Sequence, residues 1–323
     1  MEELEKERQL FLEECKKSKT KTIIISSIGA IIFVVILMLY NVHHVYGDFS
    51  GFTNTGFTMF NEGDSILDYT KIYFYLLIIG LFAILMIIYV IFGKGYNGKE
   101  YENYKKLYKK HIVYNTLEKI FDDVKIYDSG FSEKEIQDSN VVDMGTEFKS
   151  EDKFEGKYKD VPFAACDVTT WHQEEDDDGG SRTVIDFDGQ YYVFEFNKKF
   201  KGNVIVTSNY SVSTKKNLET VEMENAEFNK MFNVYTDDQH LAYYILTPQL
   251  MEKIMELSDA TFDFSCAFIG NKIHIACSHN VDLFEFDPYE ELNKMKENKD
   301  IEKEISMVTQ IIDSLDLNND LFK

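Results

Sequence analysis

Asp237-Asp238-Gln239-His240 is the stretch of this 323-residue chain whose residue types suit acid–base chemistry. Two adjacent carboxylates and an imidazole can take up and release a proton near neutral pH. No nucleophile, glycine-rich phosphate loop or second basic group accompanies them, and a capped turn is the competing reading of Asp-Asp. Other clusters fail on spacing. Glu174-Glu175-Asp176-Asp177-Asp178-Gly179-Gly180 gathers carboxylates of the kind calcium takes. With Gly179 at the sixth position of an EF-hand loop, the twelfth is Ile185; with Gly180 there, the twelfth is Asp186 and the fifth is Gly179. Neither register supplies the closing glutamate, so a solvated hairpin loop is expected.

Cys266, His274, Cys277 and His279 lack the closely paired ligands of structural zinc. His274 and Cys277 would also point to opposite faces of one strand. Trp171-His172 has no partner visible in sequence, and His43-His44 reads as a polar cap on an apolar helix. No catalytic residue, metal or cofactor is therefore assigned, and an enzyme is the less favoured reading.

The elements that must position these residues begin with two uncharged apolar stretches, Thr22–Tyr40 and Ile72–Phe92. Each approaches the length of about 20 residues that crosses roughly 30 Å of hydrocarbon, so both are expected to span a membrane. Lys16, Lys17, Lys19 and Lys21 precede the first, and Lys94, Lys99, Lys105, Lys106, Lys109 and Lys110 follow the second. The loop between, residues 41–71, offers only Lys71 against Asp48, Glu62, Asp64 and Asp68. That asymmetry places both termini in the cytoplasm. After the first stretch, Asn41-Val42-His43-His44 gives no small-residue cleavage site, so an uncleaved anchor is expected. The loop's doubled Gly-Phe-Thr, at Gly51–Thr53 and Gly56–Thr58, reads as a connector.

Residues 1–21 carry Leu4, Arg8, Phe11, Leu12 and Cys15 at helical spacing, which predicts an amphipathic cytoplasmic helix. Residues 93–124 predict a lysine-rich helical stalk with an apolar stripe from Tyr104 to Val124. The body, residues 125–287, reads as strands at Thr183–Phe196, Asn203–Thr207, Leu218–Met223, Leu241–Leu246, Thr261–Phe268 and Lys272–Cys277. Thr247-Pro248 opens a helix between them, and Gly270-Asn271 marks a hairpin. In residues 288–323, Ile301, Ile305, Val308, Ile312 and Leu315 form a two-heptad seam on a charged helix expected to pack on the stalk or the N-terminal helix. The fold class expected is α+β: a two-helix transmembrane hairpin, a helical stalk, and a largely antiparallel β-sheet cytoplasmic domain with a C-terminal helix.

Charge is unevenly placed. Of 34 basic and 56 acidic residues, 13 and 12 lie in residues 1–112, leaving 21 and 44 for the rest. So acidic a domain repels nucleic acid and anionic lipid. Arg8 and Arg182 are the two arginines, a lysine bias that suits an AT-rich bacterial genome. Cys15, Cys166, Cys266 and Cys277 form no Cys-x-x-Cys pair and read as free thiols.

Several blocks of the body occur in a known order. Phe194-Glu195-Phe196-Asn197-Lys198-Lys199-Phe200-Lys201-Gly202 is followed by Phe232-Asn233-Val234-Tyr235-Thr236-Asp237-Asp238-Gln239, then Ala242-Tyr243-Tyr244-Ile245-Leu246-Thr247-Pro248 and Lys272-Ile273-His274-Ile275-Ala276. Over about residues 150–286 the chain resembles an uncharacterised bacterial membrane-protein family, domain of unknown function 3137. Two spans before the domain are also similar to that family's arrangement. Where the family often carries Glu-Ala-Arg before Tyr-Ile-Leu, this chain has His240-Leu241-Ala242-Tyr243, which loses the basic position. The resemblance implies no reaction and no catalytic residue; as a partner it implies a LemA-like membrane protein.

The reading that follows is a membrane-anchored cytoplasmic interaction or scaffolding protein, holding the bilayer through two spans and binding a protein partner or itself. The alternatives are a membrane enzyme acting on a small molecule or lipid through Asp237, Asp238 and His240, and a sensor coupled through the stalk. A transporter or channel is disfavoured, because neither span carries an ionisable residue.

Overall fold

Glu2–Tyr46 forms one helix, α1, in a computed structural model that describes residues 2–46, 79–80, 82–83, 99–175, 180–196, 198–208, 218–259, 264–278, 283–284, 287, 289 and 299–317. Glu2, Glu3 and Glu5 in its first turn complement the helix dipole. Leu4, Arg8, Phe11 and Cys15 are buried at steps of four, three and four, as the amphipathic pattern requires. Phe11 packs its ring on Tyr101 (5.6 Å) and Tyr104 (6.3 Å) of helix α2, Lys99–Tyr108.

The backbone of Thr22–Tyr40 lies inside α1, which continues to Tyr46 and so runs beyond the expected end of the first span. Ile23, Ile24 and Ile28 stand 50 %, 54 % and 51 % exposed on it. Among the described residues no helix is long and apolar enough to cross a membrane, and the side chains from Ala30 to Tyr46 are not among them. The second stretch, Ile72–Phe92, lies outside the described residues apart from helical positions 79–80 and 82–83. Loop residues 47–71 lie outside them too.

The chain divides into two compact units, Met1–Leu107 and Tyr108–Lys323. The stalk prediction needs correction in the second. One π turn, Lys109–Val113, leads into a short helix α3, Tyr114–Leu117. Val124 then belongs to strand β1, Asp122–Ile126. The chain leaves the helix through a turn at residues 118–120. Asp123 takes a left-handed φ of 54°, which opens a bulge against the next strand. Phe121 turns inward, its ring 4.7 Å from Phe163 and 6.3 Å from Phe154.

The sheet contains β1, β2 (Glu147–Tyr158), β3 (Val161–Glu175), β4 (Ser181–Glu195), β5 (Asn203–Ser208), β6 (Glu219–Val221), β7 (Phe232–Thr236), β8 (Phe264–Ile269) and β9 (Lys272–Cys277). Their spatial order is β1-β2-β3-β4-β9-β8-β5-β7-β6, and every pairing is antiparallel. Directly paired residues share a face, so register builds the core in rows. Phe163, Phe194, Ile273, Phe268 and Val204 form one row, and Ala165, Tyr192, Ile275, Cys266 and Val206 the next. On the opposite face Cys166, Val168, Tyr191, Val193, Ile205 and Ala276 gather under Ile136 of helix α4, Glu133–Ser139. Ser132 and Glu135 close a reciprocal capping box at the start of α4.

Helix α5, Ala226–Met231, is capped by Asn225 and precedes β7. The strand expected at Leu241–Leu246 is a correction: Gln239–Ile245 is a helix, α6. Tyr243-Tyr244-Ile245 suits a strand by composition, but Asp238 caps the preceding end and commits the segment to helix. Helix α7, Pro248–Asp259, starts where Thr247-Pro248 predicted, with Thr247 Oγ1 accepting from Leu250 N at 3.3 Å. Gly270, at φ 62°, begins the two-residue turn between β8 and β9, since Ile269 pairs with Lys272. The C-terminal seam Ile301, Ile305, Val308, Ile312 and Leu315 is buried in helix α8, Lys299–Leu315, which packs on α7 and α3.

Candidate functional site

Asp237 and Asp238 sit where β7 turns into α6, and both carboxylates are committed to that turn. Asp237 Oδ1 accepts from Asn203 N and Oδ2 from Asn203 Nδ2, each at 2.7 Å. Asp238 Oδ1 accepts from Leu241 N at 3.2 Å as the N-cap of α6. Thr236 Oγ1 ties the same corner, donating to Asn203 O and accepting from Asp238 N. His240 is exposed on α6, and neither carboxylate is bonded to it. The structure therefore brings Asp237 and Asp238 together as caps on β5 and α6, with His240 facing solvent.

The loop that leaves β4 is laid against this turn. Phe196 N donates to Asn271 O at 3.0 Å and Phe200 N to Gly270 O at 2.8 Å, fastening Phe196 and Phe200 to the β8–β9 hairpin. The Phe196 and Phe200 rings lie 5.5 Å apart and are buried. Gly202 follows at a point where no side chain fits: a Cβ there would come within 2.6 Å of Asp237 Oδ1 and 3.1 Å of Leu241. Lys198 Nζ is hydrogen-bonded to the Tyr244 hydroxyl and lies 4.5 Å from the centre of that ring. The blocks at 194–202 and 235–248, separate in sequence, thus form one corner of the sheet.

This corner gathers Lys198, Lys199 and Lys201 on one short loop. Elsewhere in the domain Lys109 is held by Asp152, Lys157 by Asp123, Lys159 by Asp313 and Lys272 by Glu195, while Lys119, Lys125 and Lys134 are exposed and form no ion pair among the described residues. Among the described residues, Lys199 and Lys201 are exposed and form no ion pair. Tyr243 and Tyr244 on α6 are 49 % and 50 % exposed; Tyr244 holds Lys198, and the Tyr243 hydroxyl donates to Glu222 O at 3.4 Å. Sequence reasoning passed over these five residues as a group. Three lysines in four positions, inside a domain with twice as many acids as bases, was the available signal.

The remaining candidates resolve into structural pairs. His172, apparently partnerless in sequence, has Nδ1 2.7 Å from Asp186 Oδ1, across the β3–β4 ribbon. Asp186 reaches it because β4 carries an extra residue opposite Thr170-Trp171. The Asp186 carboxylate raises the imidazole pKa, helped by Glu174 at 3.5 Å. Glu174 also accepts from Arg182, whose presence lowers the glutamate pKa. The acidic run therefore joins a ribbon between β3 and β4; residues 176–179 lie outside the described residues.

His274 is half-buried, its Nδ1 hydrogen-bonded to the Tyr191 hydroxyl at 2.6 Å, and desolvation pushes its pKa down to about 4. Burial lifts the Cys166 thiol to about 11 and that of Cys277 to about 12, and raises Cys266 as well, so none is a thiolate at neutral pH. His279 lies outside the described residues. Among the described residues, no group of His, Cys, Asp and Glu is arranged to hold a metal.

An open groove of about 1060 Å³ crosses one face of the sheet between α3 and α4, floored by Gly156, Ala164 and Val193. Several of its polar groups are paired. Lys153 lies 2.7 Å from Glu155 and 4.4 Å from the centre of the Phe131 ring, while Tyr127 donates to Glu155 at 2.9 Å. Lys157 and Lys272 are likewise paired. Asp237, Asp238 and His240 do not line it.

Residues 185–317 match the family described as "Protein of unknown function (DUF3137)". The match begins within β4, later than the resemblance read from the sequence, and continues through α8. It takes in the whole corner built by residues 196–202 and 236–245. Among solved structures, the crystal structure of the mycobacterial trehalose monomycolate transport factor A, TtfA, is similar at 8 % identity and a TM-score of 0.35, covering 65 % of this chain and 93 % of that one. At that level it carries no argument about this chain. No curated protein matches.

Proposed function

We propose that this chain is a membrane-anchored interaction or scaffolding protein that holds an acidic α+β domain at the cytoplasmic face of a bacterial membrane. The observation that carries the reading is α1. It is one unbroken helix whose polar first half ends in Lys16, Lys17, Lys19 and Lys21 and which then presents Ile23, Ile24 and Ile28 outward. Isoleucines half exposed on successive turns are costly in water and favoured in lipid. With Ile72–Phe92 as the returning span, both termini lie on the lysine-rich side.

The domain's own chemistry favours binding over catalysis. Its buried Lys109 is paired with Asp152, its thiols are buried, and its best acid–base candidates cap secondary structure. The occupant of such a module is a protein partner, of which a LemA-like membrane protein is one candidate, or a second copy of the chain.

Extraction of membranes at alkaline pH tests the anchor. The reading predicts that the full chain stays in the pellet and is released by detergent. Release into the alkaline supernatant would sink it.

A further inference from the structure

We propose that the corner carrying Lys198, Lys199, Lys201, Tyr243 and Tyr244 is the face through which the domain docks on an anionic lipid surface. The proposal rests on the membrane-anchored reading and goes beyond it, because an acidic domain alone would stand away from such a surface. Four observations converge. First, Lys199 and Lys201 are exposed and unpaired among the described residues, in a domain with 44 acids against 21 bases. Second, the carboxylates of Asp237 and Asp238, which adjoin the loop at Gly202, are turned to Asn203 and the Leu241 amide. Third, the loop is fixed by its bonds to Gly270 and Asn271 and by the fit of Gly202 on Asp237, so its lysines are presented with little ordering cost on binding. Fourth, half-exposed Tyr244 lies against Lys198 with half-exposed Tyr243 next to it on α6, and amphipathic rings beside lysine stems are the chemistry of the headgroup region.

Anionic lipid is favoured over an acidic protein surface because the tether keeps the bilayer at high effective concentration. A weak site therefore suffices. Each lysine near an anionic surface is worth about 1 kcal/mol, or roughly fivefold in occupancy. The surrounding negative charge then works in its favour, since repulsion of every other face orients this one toward the lipid.

The test uses the full chain in lipid nanodiscs with Tyr243→Cys carrying an environment-sensitive fluorophore. The native cysteines Cys15, Cys166, Cys266 and Cys277 are buried and leave the new thiol selectively reactive. In discs containing phosphatidylglycerol the label is expected to shift to the blue, and in phosphatidylcholine discs to report water. Replacing Lys198, Lys199 and Lys201 by Gln should abolish the shift, whereas Lys134→Gln, on α4, should leave it intact. A label that stays in water in both lipids overturns the proposal. So does a shift that ignores lipid charge or lysine removal, or one that requires an added protein. Failure of the chain to co-elute with discs would instead refute the anchor itself, so the two outcomes are distinguishable.

Discussion

Asp237 grips Asn203 with both carboxylate oxygens, one on the backbone amide and one on the side-chain amide, each at 2.7 Å. Residues 34 apart are thereby joined at the corner where β5 begins and β7 ends. The carboxylate that looked fit for proton transfer instead holds the motif loop to its neighbouring turn.

Asp237→Ala should remove both bonds and loosen that loop. The site is exposed, so the expected loss is roughly 1 kcal/mol, at the modest end for hydrogen bonds to a charged group. Urea unfolding of the purified chain in detergent would measure it. Amide hydrogen exchange should rise at Lys198–Asn203 and leave β2 and β3 unaffected.

Gly202→Ala strikes the same corner from the other side. A Cβ there meets Asp237 Oδ1 at 2.6 Å, so the carboxylate must move off Asn203. At Gly270 a Cβ meets nothing within 4 Å, and Gly270→Ala should cost only the strain of a φ of 62°, about 1 kcal/mol. Gly202→Ala should therefore be the more damaging of the two, and combining it with Asp237→Ala should be less than additive. A double-mutant cycle checks both statements.

Lys109 and Asp152 form a buried ion pair, with side chains 7 % and 4 % exposed. Both sit in irregular backbone, Lys109 in the π turn and Asp152 at φ 55° in the β2 bulge. Asp152→Asn can keep the left-handed backbone but leaves the ammonium facing only Asp128, 3.9 Å away and exposed. The expected cost is about 3–5 kcal/mol, as for other broken buried pairs. Lys109→Met with Asp152→Asn should recover a large part of it, because no charge is then left buried alone.

The two histidines give opposite pH signatures. His274 is neutral in the fold, with its pKa pushed to about 4 against about 6.5 when unfolded. Its contribution is fully present above pH 6.5 and is lost as pH falls toward 4, about 3 kcal/mol in all. His172 is shifted upward by Asp186, so its contribution is fully present below 6.5 and fades as pH rises through the folded value. Ring NMR should find His172 still charged at a pH where His274 is neutral. His172→Gln should matter most under acidic conditions.

The sequence was readable where one short signal decides a structure. Thr247-Pro248 started α7, Gly270-Asn271 turned β8 into β9, and the aromatic run of β4 made a strand. Strands β2 and β3 were hidden. Lysine and glutamate alternate along much of β2, and Pro162 interrupts β3 near its first residue. Tyr243-Tyr244-Ile245 misled because two exposed tyrosines and a buried isoleucine, β-prone by type, belong to a helix set by a cap five residues upstream of Tyr243. His172–Asp186 and Lys109–Asp152 depend on bulges, which shift a side chain by one residue and leave no mark in spacing. The motif corner could be quoted block by block from the sequence, but its assembly required the register that brings Gly202 to Asp237.

We propose that two spans hold the domain on the same side of the membrane as the N-terminus. Single cysteines at Lys6, Gly56 and Lys199, probed in intact cells with a membrane-impermeant maleimide, test it most directly. Labelling at Gly56→Cys alone, with Lys6→Cys and Lys199→Cys reacting only after the membrane is opened, is the predicted result. Labelling of Lys199→Cys from outside, or of none of the three with the chain found in the soluble fraction, would contradict it.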